Sequence, residues 1–274
     1  MTKQDMKYLF GEWDKLKKEL NNKIILLNLD YDGTLTPIAA TPDKAVLSRE
    51  AKAALEELTR LNDCKLAIVS GRALRDIRRM VGLKDIVYVG NHGFEIDGPG
   101  IHFESLTPPT VKNMFAKIKE DLAKHLAEIE GVIIEDKGST LSVHYRLVAE
   151  KMADSVKKNF DRVCRPYAAA KQIKTGSGKK VLEVKPPAEW DKGKAVLWLL
   201  TRQTRACGNN RVFPVYIGDD RTDEDVFTAL KKNGITVFVG QDKRSAARYY
   251  LNDTEEVLRF LHLIRDLKKE SGHA

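Results

Sequence analysis

Short apolar runs alternate with amphipathic segments along the first hundred residues of the chain. The runs Lys23–Leu29, Lys65–Ser70 and Asp85–Gly90 have the length and composition of buried strands. Between them, AALEELTRL and RALRDIRRMVG carry apolar residues at helical spacing. Strands that alternate with helices predict an α/β fold with a doubly wound parallel sheet. After the third run, FEIDGPGIHFE predicts a β-hairpin or flap.

The order of elements changes after the pair Pro108 and Pro109. From there to Pro186 and Pro187 the pattern predicts an αββαββ order, with helices over 111–127 and 149–164 and strands over 131–136, 141–146, 168–175 and 179–185. The earlier alternation then returns, with helices over 192–204, 222–231 and 254–269 and strands over 212–218 and 235–240. These patterns predict a discontinuous core domain over residues 1–107 and 186–274 and an inserted α+β cap domain over 108–185. The first 22 residues predict an additional helix.

Composition excludes several classes of protein. The sequence has no apolar run near the roughly 18 residues that a membrane-spanning helix needs, so we expect no membrane association. The N-terminal residues mix both charge signs and lack the apolar core of a secretory signal, which indicates a cytoplasmic protein. The three cysteines are scattered, and they form neither a disulfide framework nor a metal-binding spacing.

The chain carries a formal net charge of +8, which indicates an anionic partner. Charge alone does not separate a nucleic acid from a phosphorylated metabolite. However, the basic residues are interspersed with acidic ones, and only 7% of residues are aromatic, so bases would find few stacking platforms. We therefore expect no nucleic-acid binding.

Two carboxylates follow the first strand in the sequence LNLDYDGTLTP. Asp30 and Asp32 lie at the carboxyl end of a parallel strand, which is where open α/β sheets bind their ligands. One carboxylate can attack phosphorus while its neighbour transfers a proton. An isolated Asp-x-Asp-Gly sequence is equally typical of an Asx turn or a calcium-binding loop.

A second acidic cluster follows another apolar strand, in YIGDDRTDEDVF. Helix capping accounts for one or two of its acids. It does not account for Asp219, Asp220 and Asp223 together, because their mutual repulsion is costly without a cation. Hard carboxylate oxygens suit Mg²⁺. Between the two clusters lie SGR (Ser70–Arg72), after a strand, and Lys192, at the start of a helix; a hydroxyl, helix amides and an ammonium group can hold phosphate.

Together these motifs resemble a known superfamily. DYDGT, SGR, the lysine of WDKG and GDDRTDE, in this order, resemble the four motifs of haloacid dehalogenase-type phosphatases, and the αββαββ insertion resembles the C2B cap of that superfamily. More narrowly, GNHGFEI, SVHYR, KVLEVKP and GDDRTDED are similar to the trehalose-6-phosphate phosphatase family. The similarity covers nearly the whole chain after residue 22. Lys185 stands where the family often has arginine.

The resemblance implies a role for each motif residue. Asp30 is similar to the nucleophile that forms an aspartyl-phosphate, and Asp32 to the acid/base that protonates the sugar oxygen and then activates water. Mg²⁺ would be held by the side chains of Asp30 and Asp219 and by the backbone carbonyl of Asp32. Asp220 and Asp223 would orient metal-bound water and Lys192.

The resemblance also implies which residues contact the substrate. Ser70 and Lys192 would contact the phosphoryl group, and further contacts are expected from Thr34, Gly71, Arg72 and Asn91. In the cap, the positions similar to those that contact the disaccharide are Glu135, Lys137, Arg146, Lys179 and Glu183. Charges on strands are otherwise usually solvent-exposed, which is the alternative for each of these five.

The expected activity is Mg²⁺-dependent hydrolysis of trehalose 6-phosphate, a phosphorylated disaccharide, to trehalose and inorganic phosphate. One alternative is a phosphatase for another sugar or glucosyl-glycerol-type phosphate, with the same core and a different specificity of the cap. Another is a noncatalytic domain associated with a trehalose-phosphate synthase; the loss of Asp30, Asp32, Lys192 or Asp219 would mark it, and all four are present. We expect a monomer.

Overall fold

The computed structural model describes residues 6–105, 108–208, 212–240 and 245–271. The chain divides into two compact units. Unit 1 comprises residues 1–39, 45–103 and 190–274, and unit 2 comprises residues 40–44 and 104–189. Residue 107, where the first predicted domain boundary falls, lies outside the described residues.

Thirteen strands are found in the described residues, and they form two sheets. Numbered along the chain, they are β1 (Lys7–Tyr8), β2 (Ile24–Leu29), β3 (Cys64–Val69), β4 (Val87–Gly90), β5 (Glu95–Gly98), β6 (Ile101–Glu104), β7 (Ile133–Asp136), β8 (Leu141–His144), β9 (Lys174–Gly178), β10 (Val181–Lys185), β11 (Val212–Gly218), β12 (Ile235–Val239) and β13 (Tyr249–Leu251).

Eight α-helices are found in the same residues. They are α1 (Trp13–Leu20), α2 (Arg49–Thr59), α3 (Leu74–Val81), α4 (Pro109–Leu126), α5 (Glu150–Ala169), α6 (Lys192–Ala206), α7 (Glu224–Leu230) and α8 (Thr254–Ser271). None of the helices described combines the length and the apolar character that a membrane crossing needs.

The sheet of unit 1 has nine strands in the order β1-β13-β12-β11-β2-β3-β4-β5-β6. Neighbours from β1 to β4 are parallel, and β5 pairs antiparallel with β4. From β2 the chain continues outward through β3 and β4, while the later strands β11, β12 and β13 lie on the other side of β2. The strand order therefore reverses between β2 and β11, and in open α/β sheets ligands bind at such a switch point.

Helices cover both faces of this sheet, as the doubly wound α/β prediction requires. Residues alternate along a strand between its two faces. In β2, Ile25, Leu27 and Leu29 pack with apolar residues of α1, α2, α3 and α8. Leu26 packs with residues of α6 and α7 instead. Asn28 lies on the same face of β2 as Leu26, and Asp30 follows two residues later, so Asp30 belongs to the face that α6 and α7 cover.

Unit 2 contains a four-stranded sheet in the order β7-β8-β10-β9, with antiparallel neighbours. Apolar residues of α4 and α5 form one buried cluster with Leu141, Val143, Leu182 and Val184 from the two central strands. The αββαββ order agrees with the sequence pattern. Two neighbouring elements have other bounds than predicted. Helix α5 continues to Ala169, and the strand predicted over 168–175 lies at Lys174–Gly178 instead.

The N-terminal segment contains a shorter helix than the sequence indicated. Lys7 and Tyr8 pair parallel with β13 at the edge of the sheet. A 3-10 turn over Leu9–Glu12 follows, and only then does α1 begin at Trp13. Leu9, Leu16 and Leu20 are fully buried, so this segment belongs to the core of unit 1.

Candidate active site

The candidate site lies at the carboxyl ends of three neighbouring strands. Asp30 directly follows β2, Ser70 follows β3 and Asp219 follows β11. Because these strands are parallel neighbours in the order β11-β2-β3, their ends meet at one edge of the sheet. All three side chains are buried. The sheet thus brings two motif carboxylates and a motif hydroxyl to the switch point.

A tight turn over residues 31–36 brings the first motif close to the second acidic cluster. The carbonyl oxygen of Tyr31 accepts bonds from the amides of Leu35 and Thr36, both at 3.0 Å. Gly33 has a φ of +83°, and a Cβ atom there would lie 2.0 Å from Oδ2 of Asp219. Only glycine fits this conformation and this approach. The glycine of DYDGT therefore allows the backbone next to Asp32 to approach Asp219.

Lys192 connects the two acidic motifs. Its Nζ lies 2.8 Å from Oδ1 of Asp30 and 2.9 Å from Oδ1 of Asp223. Lys192 is the first residue of α6, where Asp191 caps the helix by accepting a 2.8 Å bond from the amide of Lys194. Its side chain is only 3% exposed, so both ion pairs are shielded from water. The helix start thus places an ammonium group against the predicted nucleophile.

Asp223 is held by four donors. Its Oδ1 accepts from Lys192 and from the hydroxyl of Tyr216 at 2.6 Å. Its Oδ2 accepts from the amides of Asp219 and Asp220, both at 2.9 Å. Two carboxylate oxygens offer about four lone-pair positions. The protein already fills them, so Asp223 braces Lys192 and the Asp219 loop. Asp220, in the same loop, accepts from the amide of Arg221 and caps the short turn that leads into α7.

The burial of these groups shifts their protonation. Burial raises the pKa of Asp30 well above its ordinary value, and Lys192 opposes that rise only partly. Burial acts in the same direction on Asp223, but Lys192, Tyr216 and the amide of Asp220 hold the pKa of Asp223 below its ordinary value. Although burial disfavours the charged form of Lys192, Asp223 and Asp30 keep its pKa well above the usual value. Further positive charge near Asp30 would favour its carboxylate form.

The site has the ligand oxygens that a hard cation needs. Asp30, Asp219 and Asp223 each offer a carboxylate oxygen, and these oxygens lie within 4.8 Å of one another. All three residues are buried. Since Asp223 is saturated by protein donors, Asp30 and Asp219 are the carboxylates suited to metal binding. Oxygen ligands few in number, with room for water, are typical of Mg²⁺.

The SGR motif lies against the first motif. The guanidinium group of Arg72 binds the carboxylate of Asp32 through two bonds, Nε to Oδ2 at 2.7 Å and Nη2 to Oδ1 at 2.6 Å. Ser70 Oγ accepts from the amide of Arg72 at 3.1 Å. A Cβ atom at Gly71 would lie 2.5 Å from the ring of His92, so the loop packs tightly there. Thr34 is fully buried in the turn of the first motif, and within the described part of the chain its Oγ1 has no hydrogen-bond partner.

The GNHGFE segment braces this loop from the other side. Asn91 is fully buried; its amide donates to the carbonyl of Arg72 at 2.7 Å and its Nδ2 to Glu95 Oε1, also at 2.7 Å. Glu95 Oε2 accepts from the amide of Leu74, at the start of α3, at 2.9 Å. The side chain of Asn91 thus holds Glu95, and its substrate contact stays a prediction. Glu95 was not singled out by sequence; its only signal is its place in a motif resembling a family segment.

The five candidate residues of the cap lie on strands or turns of one sheet. Glu135, Ser142 and Glu183 are register partners across β7, β8 and β10, so they share one face. Glu135 lies 2.8 Å from Nε2 of His144 and 3.7 Å from Nζ of Lys137, which donates to Ser142 at 2.8 Å. Unit 2 therefore groups the charges of Glu135 and Lys137 in one network.

The other three cap residues are also paired within unit 2. Glu183 is buried, and its Oε2 lies 2.7 Å from Nζ of Lys185. Nη2 of Arg146 donates to the backbone carbonyl of Lys179 at 2.5 Å. This contact brings Arg146 and Lys179 together at the end of the sheet. The sugar contacts assigned to the five residues stay a prediction.

Comparison with known proteins identifies relatives over almost the whole chain. A sequence model of the trehalose-phosphatase family matches residues 28–255. The chain is 38% identical to the probable trehalose-phosphate phosphatase 4 of Oryza sativa subsp. japonica, covering 96% of this chain and 71% of that protein. It is 35% identical to the trehalose 6-phosphate phosphatase RA3 of Zea mays, covering 94% and 74%.

A solved structure shares the fold. The C-terminal domain of Candida albicans trehalose-6-phosphate phosphatase superposes with a TM-score of 0.84 at 23% identity, covering 97% of this chain and 99% of that domain. The doubly wound α/β core with a second, antiparallel unit is therefore confirmed.

Proposed function

The chain belongs to the trehalose-phosphatase family, and from that membership we propose that it hydrolyses trehalose 6-phosphate to trehalose and inorganic phosphate through an aspartyl-phosphate at Asp30. One observation carries the proposal. Asp30 follows the strand at the switch point of the sheet, with Lys192 at 2.8 Å from its carboxylate, in a chain that the family pattern matches over residues 28–255.

The first step transfers the phosphoryl group to Asp30. A carboxylate oxygen of Asp30 attacks phosphorus while the bond from phosphorus to the sugar oxygen breaks. Lys192 is fixed by Asp223, so its ammonium group stays beside Asp30 and can stabilise the charge of the transferring group. Ser70, at the end of β3, adds a hydroxyl to the same edge of the sheet.

Asp32 is the proposed acid and base. It gives a proton to the departing sugar oxygen, which leaves as the 6-hydroxyl of trehalose. A water molecule then attacks phosphorus, Asp32 accepts its proton, and the acyl-phosphate bond breaks to release inorganic phosphate and restore Asp30. Asp32 suits this task because its side chain is 39% exposed, whereas Asp30 is almost completely buried.

The residues present fit Mg²⁺. Asp30 and Asp219 would hold the ion, since Asp223 is saturated by four protein donors, and Gly33 lets the backbone beside Asp32 approach Asp219. When bound, Mg²⁺ neutralises the negative charge that otherwise opposes the meeting of a phosphate ester and a carboxylate. The direction of the Asp30 pKa supports this, because a buried carboxyl with raised pKa needs nearby positive charge to ionise.

Sugar recognition is proposed for unit 2. Unit 1 contributes groups that suit a phosphoryl group and a metal ion. Since every phosphate monoester has a phosphoryl group, these groups alone do not select one sugar. The polar row of Glu135, Ser142 and Glu183, with Lys137 beside it, offers the donors and acceptors that sugar hydroxyls need.

The direct test is phosphate release from a panel of sugar phosphates, with and without Mg²⁺. We expect the highest kcat/KM for trehalose 6-phosphate and loss of activity after chelation, restored by Mg²⁺. Asp30→Asn serves as the inactive control. Preference for another sugar phosphate would favour the alternative substrate class, and no phosphate release from any ester would favour a noncatalytic domain.

A further inference from the structure

We propose that Arg72 is a positioning residue for Asp32: it fixes the orientation of the acid/base carboxylate, and its contribution to the reaction passes through that carboxylate. The inference rests on the proposed function for the role of Asp32. It differs from the sequence-based expectation, which placed Arg72 among the residues that contact the substrate.

The geometry of the pair is the first argument. Both oxygens of Asp32 accept from Arg72, at 2.6 and 2.7 Å, through two different nitrogens of one planar group. A two-bond pair of this kind fixes the plane and direction of a carboxylate, whereas a lysine would fix only a distance. The Asp32 side chain is 39% exposed and would otherwise be free to turn among rotamers.

The second argument is that Arg72 itself is held. Its side chain is only 13% exposed, and its guanidinium carbon lies 5.6 Å from the centre of the Tyr31 ring. Tyr31 is fully buried, and its hydroxyl donates to the carbonyl of Ala45 at 2.9 Å. A fixed aromatic face next to the guanidinium stabilises its position.

The backbone of Arg72 is held at both of its polar groups. Its amide donates to Ser70 Oγ at 3.1 Å, and its carbonyl accepts from the amide of Asn91 at 2.7 Å. Asn91 is in turn bonded to Glu95. The loop therefore fixes the backbone of Arg72, and the side chain of Arg72 in turn fixes the carboxylate of Asp32.

The chemical consequence concerns the direction in which the Asp32 carboxylate points. Asp32 must present one oxygen to the departing sugar oxygen and later to water, and general acid–base transfer depends on that geometry. The hydrogen bonds to Arg72 restrict how far the carboxylate can turn. Loss of Arg72 should therefore slow reactions that need a proton on the leaving group, and spare those whose leaving group departs readily without one.

The test compares leaving groups. Arg72→Met, Arg72→Lys and the control Arg75→Met, an exposed arginine of α3, are assayed with p-nitrophenyl phosphate, phenyl phosphate and trehalose 6-phosphate. The p-nitrophenolate group leaves without protonation, phenolate is poorer, and a sugar alkoxide is poorest. Since kcat/KM reports the steps up to phosphoryl transfer, it isolates the acid role from the later hydrolysis of the phosphoenzyme.

We expect Arg72→Met to lower kcat/KM about 100-fold for trehalose 6-phosphate, by less for phenyl phosphate and by about threefold or less for p-nitrophenyl phosphate, on the scale of general acid catalysis. Arg72→Lys should lose less than Arg72→Met on the poor leaving groups, and Arg75→Met should match the wild type. In an Asp32→Asn background, Arg72→Met should add little further loss, because the group through which it acts is already gone.

Equal losses on all three esters, with a raised KM, would overturn the proposal and assign Arg72 to phosphate binding. Wild-type rates in Arg72→Met would overturn it as well. If Arg72→Met does not fold, as judged by its melting temperature, Arg72→Lys alone gives the same comparison. If the wild type cleaves aryl phosphates but not trehalose 6-phosphate, the proposed function fails, while the two aryl esters still decide the role of Arg72.

Discussion

The hydroxyl of Tyr216 lies 2.6 Å from Oδ1 of Asp223, and both side chains are fully buried. Asp223 uses the same oxygen to hold Lys192, which in turn contacts Asp30. Tyr216 is therefore part of the support of the proposed nucleophile, although it lies within an apolar strand and touches neither Asp30 nor Lys192 in the hydrogen bonds described.

Tyr216→Phe should lower kcat about tenfold with little change in KM. A hydrogen bond to a charged group contributes on the order of 1.5 to 3 kcal/mol, and its loss loosens the carboxylate that orients Lys192. Steady-state kinetics with trehalose 6-phosphate measure the effect. The matched control is Tyr88→Phe, which also removes a buried hydroxyl, one that donates to the carbonyl of Leu83 at 2.8 Å. If the control loses as much kcat as Tyr216→Phe, the contact with Asp223 has no special role.

The proposed metal set predicts unequal effects of two amide substitutions. Asp219→Asn should raise the Mg²⁺ concentration for half-maximal activity strongly, because it removes a metal-binding charge. Asp32→Asn should leave that concentration much less changed, because its proposed metal contact is the backbone carbonyl, and should lower kcat instead. Mg²⁺ titrations of residual activity compare the two. Equal shifts would show that the roles of Asp32 and Asp219 are assigned wrongly.

The cap residues should select the sugar. Glu135→Ala, Arg146→Ala and Glu183→Ala should each lower kcat/KM for trehalose 6-phosphate about tenfold to a hundredfold, because an unmatched polar partner costs on the order of 1 to 3 kcal/mol. The same variants should spare p-nitrophenyl phosphate, which lacks the disaccharide. Lys158→Ala, an exposed residue of α5, is the control. If kcat/KM fell by the same factor for both esters, these residues would instead support the fold of unit 2.

The buried amine of Lys268 in α8 should affect stability and not catalysis. Nζ of Lys268 donates to the carbonyl oxygens of Leu20 at 2.9 Å and Lys23 at 2.5 Å, and the residue is 4% exposed. Lys268→Met should lower the free energy of unfolding by about 1 to 3 kcal/mol, because these carbonyls lose their charged donor. Lys269→Met, which removes only an exposed ion pair with Glu57 at 3.1 Å, should cost far less. Denaturant unfolding measures both, and equal losses would contradict the role given to Lys268.

Sequence patterns predicted most of the fold because most elements had a local signal, whereas the short strands β1 and β13 were not predicted. The runs of β2 and β11 are apolar, and Asp30 and Asp219 follow them directly. The same pattern therefore predicted where each strand ends and that a carboxylate lies at its end. The sequence pattern ended this helix of unit 2, α5, at Cys164 and assigned the alanines after it to a strand, whereas α5 continues through Pro166 to Ala169. Alanine favours helix strongly, which agrees with the observed end.

Contacts between distant residues carry no such signal. Arg72 and Asp32 are 40 positions apart, and a guanidinium group after a strand is equally suited to phosphate. Tyr216 looks like one more residue of a buried strand; only the rule that a buried hydroxyl needs a partner could have marked it. Glu95 also has no local signal, because its hydrogen bonds to Asn91 and to the amide of Leu74 form only in the folded loop.

Trapping the phosphoryl group on Asp30 during turnover of trehalose 6-phosphate tests the central claim most directly. Borohydride reduces an aspartyl-phosphate to homoserine, which mass spectrometry locates in a peptide. With Mg²⁺ and trehalose 6-phosphate, homoserine should appear at position 30 of the wild type, and Asp30→Asn should show neither homoserine nor phosphate release, since loss of a nucleophile typically costs many orders of magnitude in rate. Phosphate release without modification at position 30, or undiminished turnover by Asp30→Asn, would contradict the account.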